Sequence, residues 1–191
     1  LQGIDGITAL IEQAKGLAAS ARQASGTDRA SLASQFDALR AQIDQLAGDS
    51  GYKGTNFLQS NTLTVDFNES GSSSLTISGF DASTTGLAIA AAANAWVADT
   101  DIDAAVQDLD GALSTLRANA KTLASNNGVV TTRQDFTVDL INTLTTGADT
   151  LTAADTNEEG ANMLALQTRQ QLGIVALQLS SQAQQSIMRL F

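Results

Sequence analysis

The side chains whose type and spacing come nearest to chemistry are carboxylates: Asp99, Asp101 and Asp103, then Asp108 with Asp110, then Glu158 with Glu159. Paired carboxylates do acid–base work when burial drives their pKa values apart, and alternating aspartates can ligate calcium. Neither use fits here. These residues fall at helix starts or on solvent faces, where negative charge complements the helix N-terminus. The Asp99–Asp103 cluster also lacks the spacing of an EF-hand loop. The chain has no His and no Cys, which removes the commonest general base, the commonest zinc ligand, disulfide scaffolds and thiolate metal sites. There is no G-x-S-x-G, P-loop or G-x-G-x-x-G pattern. The reading is a protein that is not an enzyme, with no metal and no cofactor.

Composition narrows the class further. Ten Lys and Arg against twenty Asp and Glu give a net charge of −10 over 191 residues, the opposite of the basic face a nucleic-acid binder needs. Proline is absent and aromatic residues make up 4%, so nothing interrupts long helices and no large aromatic core is available. No apolar run reaches the roughly eighteen residues of a membrane span, so membrane insertion is not expected.

The elements follow from periodicity. Residues 1–23 carry Ile4, Ile7, Leu10, Ile11, Ala14 and Leu17 at three- and four-residue steps, an amphipathic helix. Ser25-Gly26 ends it, and Thr27 and Asp28 offer a cap for a second helix over 28–47. Its seam is Leu32, Phe36, Leu39, Ile43 and Leu46, a heptad pattern that pairs it with the first helix. Residues 52–61 read as an extended connector. Alternation at Leu63, Val65 and Phe67, a turn cluster at 68–73, then Leu75 and Ile77 predict a β-hairpin over 62–78 with one apolar face lying on the helices. Residues 79–99 are irregular, with Leu87–Val97 ambiguous between strand and helix. Thr100 and Asp103 are cap candidates for a long helix over 101–151, with the seam Val106, Leu109, Leu113, Leu116, Ala120 and Leu123 continued by Phe136, Leu140, Ile141 and Leu144. Asn126-Asn127-Gly128 is a candidate break. The seams as far as Leu144 read as internal core.

The last stretch stands apart. Thr156 and Glu159 form a T-x-x-E capping box, and Leu164, Leu172, Val175, Leu179, Ile187 and Leu190 recur at helical spacing up to Phe191. A stripe of that length on a terminal helix predicts burial against another molecule. At its other end the chain opens at Leu1 already in phase with the first helix, which reads as entry inside a helix.

Residues 162–173, NMLALQTRQQLG, with the Gln/Ser/Ala-rich helix after them and the ending Arg189-Leu190-Phe191, resemble the C-terminal end of bacterial flagellin. GYKGTNFL (Gly51–Leu58) resembles the segment after the second helix of the flagellin core. The resemblance implies a mainly α fold: an elongated antiparallel helical bundle or coiled-coil rod with a small β-hairpin region, plus a C-terminal amphipathic helix. On that frame residues 1–155 are the core rod domain and 156–191 the terminal-domain helix. Only residues 62–99 lie between the two halves, so the variable region is minimal, and the family's N-terminal terminal-domain helix is missing.

The resemblance further implies a secreted structural subunit of the flagellar filament, a homopolymer that serves motility. Its expected partners are other flagellin subunits, a cytoplasmic flagellin export chaperone that covers the apolar face before type III export, and the filament cap and junction proteins. Filament or chaperone contact falls on Leu164, Leu172, Val175, Leu179, Ile187, Leu190 and Phe191. A receptor-facing surface on the first core helix falls on Gln13, Leu17 and Ser20. Recognised flagellins carry arginine at the position of Gln13 and glutamine at that of Ser20, and only Leu17 matches. Some flagellins are O-glycosylated, and Ser70–Thr85 is rich in acceptors, although an unmodified turn is the simpler reading. The alternatives are a hook–filament junction adaptor, whose C-terminus usually differs, and a surface-binding protein on a flagellin scaffold, for which Trp96 and Tyr52 supply little aromatic material.

Overall fold

The computed structural model describes residues 1–189. In chain order it holds α1 (Gln2–Gln23), α2 (Thr27–Asp49), β1 (Thr62–Asp66), β2 (Ser74–Ser78), a 3-10 turn (Ala93–Trp96), α3 (Asp99–Thr152) and α4 (Thr156–Met188). The chain divides into two compact units, Leu1–Phe136 and Thr137–Phe191. The division falls inside α3, not at the helix break over 153–155.

In the first unit, α1 buries Ile4, Ile7, Ile11, Ala14, Ala18 and Ala21, a three–four repeat that keeps one seam on its partners. The α2 helix answers with Ala33, Phe36, Ile43 and Ala47. Phe36 and Ile43 of the expected seam are fully buried, whereas its Leu32, Leu39 and Leu46 are only half-buried at the edge. Small residues decide this: alanines along both contact lines let the backbones approach, and the leucines flank the seam. In the buried phase of α2, position 40 is an arginine. Its guanidinium turns out to the Ile89 carbonyl at 3.1 Å and to Asp37 at 3.4 Å.

The first half of α3 closes this core with Ile102, Ala105, Leu109, Ala112, Leu113 and Leu116. Lys15 pairs with Asp110 and Arg22 with Asp103, so α1 and α3 run antiparallel. Leu1, Gln2 and Gly3 line the same groove as Leu123, Asn127 and Val130. The α1 helix begins at that level, and beyond Val130 every described side chain of α3 is exposed. This corrects the reading of Phe136, Leu140, Ile141 and Leu144 as internal core: they are 44–63% exposed, and none of them belongs to the core that α1 shares with the first half of α3. Asn126-Asn127-Gly128 does not interrupt α3.

Caps differ from expectation at three places. Gly26 caps α2 with no side-chain bond, because its φ of 48° is open to glycine and turns the chain by itself. The α3 helix starts at Asp99, which puts Thr100 inside the first turn. Asp155, not Thr156, caps α4, its carboxylate accepting from the amides of Asn157 at 2.8 Å and Glu158 at 3.3 Å. A charged acceptor is the stronger partner for those free amides.

Between α2 and α3 the chain is pinned by side chains. Residues 52–55 form a tight turn closed by two backbone bonds between Tyr52 and Thr55, with Lys53 and Gly54 at φ 50° and 81°, so this part of the connector is not extended. Asn56 is buried. Its amide donates to the Ala47 and Gly48 carbonyls at 2.7 and 3.0 Å, and its oxygen accepts from the Leu58 amide at 2.9 Å. It thereby satisfies the orphan carbonyls at the end of α2. The hairpin pairs Leu63 with Ile77 and Val65 with Leu75, and Leu63, Val65 and Ile77 face the groove shared with α1 and α3. Leu87–Val97 is neither strand nor α-helix. Asp44 holds Thr84 through its amide and hydroxyl, Asp37 holds the Ala92 amide and Asp108 the Ala90 amide. Asn94, Ala95 and Trp96 have φ of 47°, 49° and 57°. A left-handed residue costs about 1–2 kcal/mol unless it is glycine.

Candidate assembly surface

The second unit holds the end of α3 and all of α4, and none of its described residues is buried. Local contacts favour the helical form of these segments. Asp155 caps α4, and Glu158 and Glu159 sit in its first turn, where they complement the dipole. On α3, Thr143, Thr150 and Thr152 fold their hydroxyls back to carbonyls four residues earlier, which satisfies those hydroxyls within the helix.

The expected contact residues Leu164, Leu172, Val175, Leu179 and Ile187 lie on α4, each between 58% and 67% exposed. Leu190 and Phe191 lie outside the described residues. The sequence reading found one stripe, but α4 carries two. At about 100° per residue, Leu164, Leu172, Val175 and Leu179 share one face. Met163, Leu166, Ile174, Leu177 and Met188, all half or more exposed, share a second face roughly 160° away. Ile187 lies between them. Opposed stripes cancel in a single-face periodicity test, so only plotting every apolar residue on the wheel reveals the second. From Gly160 to Met188 the only charged side chain is Arg169. The helix is therefore apolar on two sides and nearly uncharged between them. Such a surface is buried in an assembly or is an aggregation hazard.

The α3 helix adds to it. The three–four spacing that buries Ile102, Ala105, Leu109, Ala112 and Leu116 continues in the sequence through Leu123, Val130, Leu140, Leu144 and Leu151. In the second unit Leu140, Leu144 and Leu151 are exposed.

The residues expected to face a receptor are brought together in the first unit. Gln13, Leu17 and Ser20 line one groove between α1 and α2, with Gly16, Gln35, Ala38, Leu39 and Gln42. Its floor is the half-buried pair Leu17 and Leu39, and its rim is glutamine and serine. Lys15 and Arg22 point to α3 instead and are engaged by Asp110 and Asp103. Asp110 raises the Lys15 pKa above its ordinary 10.5, chiefly through their hydrogen bond. The carboxylates first considered for chemistry are likewise structural: Asp99 pairs with Arg29, Asp101 accepts from Asn94 and Asp108 holds the Ala90 amide. Among the described residues, no three acidic side chains are grouped to hold a metal ion, and no helix is long and apolar enough to cross a membrane.

Comparison with known proteins agrees with this architecture. No family model matches the chain. It is 31% identical over 185 residues to the flagellin FljM of Caulobacter vibrioides, an alignment taking in 93% of this chain and 65% of that one. The chain is 29% identical over 200 residues to a flagellin of Brucella melitensis, across 98% of this chain and 71% of that one. It thus spans just under two thirds of the Caulobacter relative. The crystal structure of Bacillus cereus flagellin has the same fold, with a TM-score of 0.55 at 18% identity over 84% of this chain and 86% of that one. The chain is thus similar along nearly its whole length to flagellins of two bacteria, and it shares the fold of the flagellin of a third.

Proposed function

We propose that the protein is a structural subunit of a bacterial flagellar filament, a homopolymer outside the cell that serves motility and works without an active site. The observation that carries this reading is α4: thirty-three residues of helix with two opposed apolar stripes and none of them buried in the chain. A helix with one apolar face needs one neighbour, and a helix with two needs neighbours on both sides. A polymer of identical chains supplies them, because contacts that do not close on themselves propagate into open helical assemblies. Within that polymer residues 1–155 act as the core rod and residues 156–191 as the terminal helix.

The same surface accounts for the partners. Before export, Leu164, Leu172, Val175, Leu179 and Ile187 need cover to prevent premature assembly, and a cytoplasmic export chaperone would provide it. Filament cap and junction proteins would meet the same helix at the filament ends.

Sedimentation of the whole chain, alone and with the flagellin export chaperone, tests this. The expected result is a stoichiometric complex that is lost when Leu172 and Leu179 are replaced by aspartate, with helical content unchanged. A monomer that ignores the chaperone and never polymerises, with α4 protected from proteolysis, would make these stripes internal and overturn the reading.

A further inference from the structure

Within the first unit, just before α3 begins, the chain holds a contradiction. Trp96 is fully buried against Phe36, yet its indole N–H is the one buried side-chain polar atom among the described residues that has no hydrogen-bond partner. It also closes three successive left-handed residues, of which Asn94 is the type that tolerates this conformation and Ala95 and Trp96 are not. An unpartnered buried donor and a left-handed backbone both oppose closure. Burial of the indole and its contact with Phe36 favour it.

One residue holds the balance. Arg29 donates through Nη1 to the Val97 carbonyl at 3.1 Å, next to the tryptophan. Through Nη2 it reaches the Asp99 carboxylate at 2.7 Å, and through Nε the Ala24 carbonyl at 2.9 Å. A single guanidinium thus ties the α1–α2 turn, the residue after the left-handed turn and the first residue of α3.

We propose that Ala93–Val97 is a strained latch: Trp96 is its plug, Arg29 its catch, and it opens while the helices stay folded. Opening relieves the left-handed turn, gives the indole N–H to water and uncovers the Phe36 side of α2. The helices keep their own seam in Ile7, Ile11, Ile43 and Leu109, which share the core with Trp96 but lie on the helices themselves. Such an element is bistable because its favourable and unfavourable parts are of the same order, which is how segments of low local stability arise.

Trp96 is the only tryptophan, so its indole N–H exchange and acrylamide quenching in the whole chain read the latch directly. The expected result is indole exchange at least about a hundredfold faster than exchange of the Phe36 and Ile43 amides, as for local rather than global opening. Arg29→Met should speed indole exchange about tenfold, with the circular dichroism of the helices unchanged. Ala95→Gly, at an exposed left-handed position, should slow it about tenfold by relieving strain in the closed state. Ala95→Gly removes no packing and keeps the test sound should Arg29→Met fail to fold. Indole exchange as slow as that of the α2 amides, or unmoved by Ala95→Gly, would make Trp96 ordinary core and overturn the latch.

Discussion

The rings of Phe36 and Trp96 meet at 4.9 Å between centroids, tilted by 52°. They join the middle of α2 to the turn that precedes α3. Tilted aromatic pairs of this kind add about 0.5–1.5 kcal/mol beyond the area they bury. Phe36 is fully buried in the seam facing α1, so Phe36→Ala leaves a cavity as well as an orphaned indole face. A loss of about 3–5 kcal/mol is expected, measured by urea denaturation followed through Trp96 fluorescence. A loss below about 1 kcal/mol would mean the site collapses around the gap.

Asn56 is expected to be nearly as sensitive, although it is polar. Its amide donates to two carbonyls at the end of α2 and its oxygen accepts from Leu58. Asn56→Asp puts an acceptor where two carbonyls need a donor and should cost about 2–3 kcal/mol at neutral pH. Asn56→Ala should cost about 1–3 kcal/mol. Midpoints of both variants equal to that of the unsubstituted chain would show that the amide donors contribute little.

Gly79 tests close backbone approach. A Cβ there would run into the carbonyl oxygens of Phe57 and Asn61, while the Gly79 amide bonds to the Asn61 carbonyl at 2.8 Å. Gly79→Ala should shift the connector against the hairpin at a cost of about 1–3 kcal/mol. Gly111→Ala, where nothing lies near, should instead stabilise α3 by up to about 1 kcal/mol. Thermal unfolding of the two variants side by side reads the contrast.

The two stripes of α4 make separable predictions for assembly. Leu172→Ser with Leu179→Ser changes one stripe, and Leu166→Ser with Leu177→Ser changes the other. All four residues are exposed in the chain, so neither double variant should alter monomer stability by more than about 0.5 kcal/mol. Each should slow polymerisation, measured by light scattering and electron microscopy. Normal filaments from the second variant would mean that only one face of α4 is covered in the polymer.

The Lys15–Asp110 pair sets an alkaline limit. Asp110 raises the Lys15 pKa above 10.5, so the pair's contribution is fully present below that value. It is lost as pH rises through the higher value of the folded chain. Lys15 is exposed to solvent, so the effect is small and weakens with salt. Lys15→Met should flatten the stability–pH curve above pH 10.5 and leave it unchanged near neutrality. Identical alkaline limbs for the two proteins would dismiss the pair.

The sequence by itself determined the elements and carried the resemblance to flagellins. Three–four spacing on α1, α2 and α3 is a local property of the chain, because each apolar residue states its own place on the helix surface. The hairpin was legible for the same reason, in strict alternation ended by a turn cluster. So was the resemblance carried by residues 162–173. That the chain has no His and no Cys is read directly from the sequence.

What only the tertiary structure decided was which apolar residues are covered. Leu116 and Leu144 share one seam and look alike in sequence, yet Leu116 is fully buried and Leu144 is 63% exposed. The difference is that Leu116 packs in one core with α1, a helix about a hundred residues earlier in the chain. The same holds for the alanines that displaced the leucines from the α2 seam, since close approach depends on what stands opposite. It holds most for Trp96, whose burial, left-handed backbone and unpartnered N–H come from a turn held by Arg29. Periodicity records what one helix offers, and packing decides what another segment accepts.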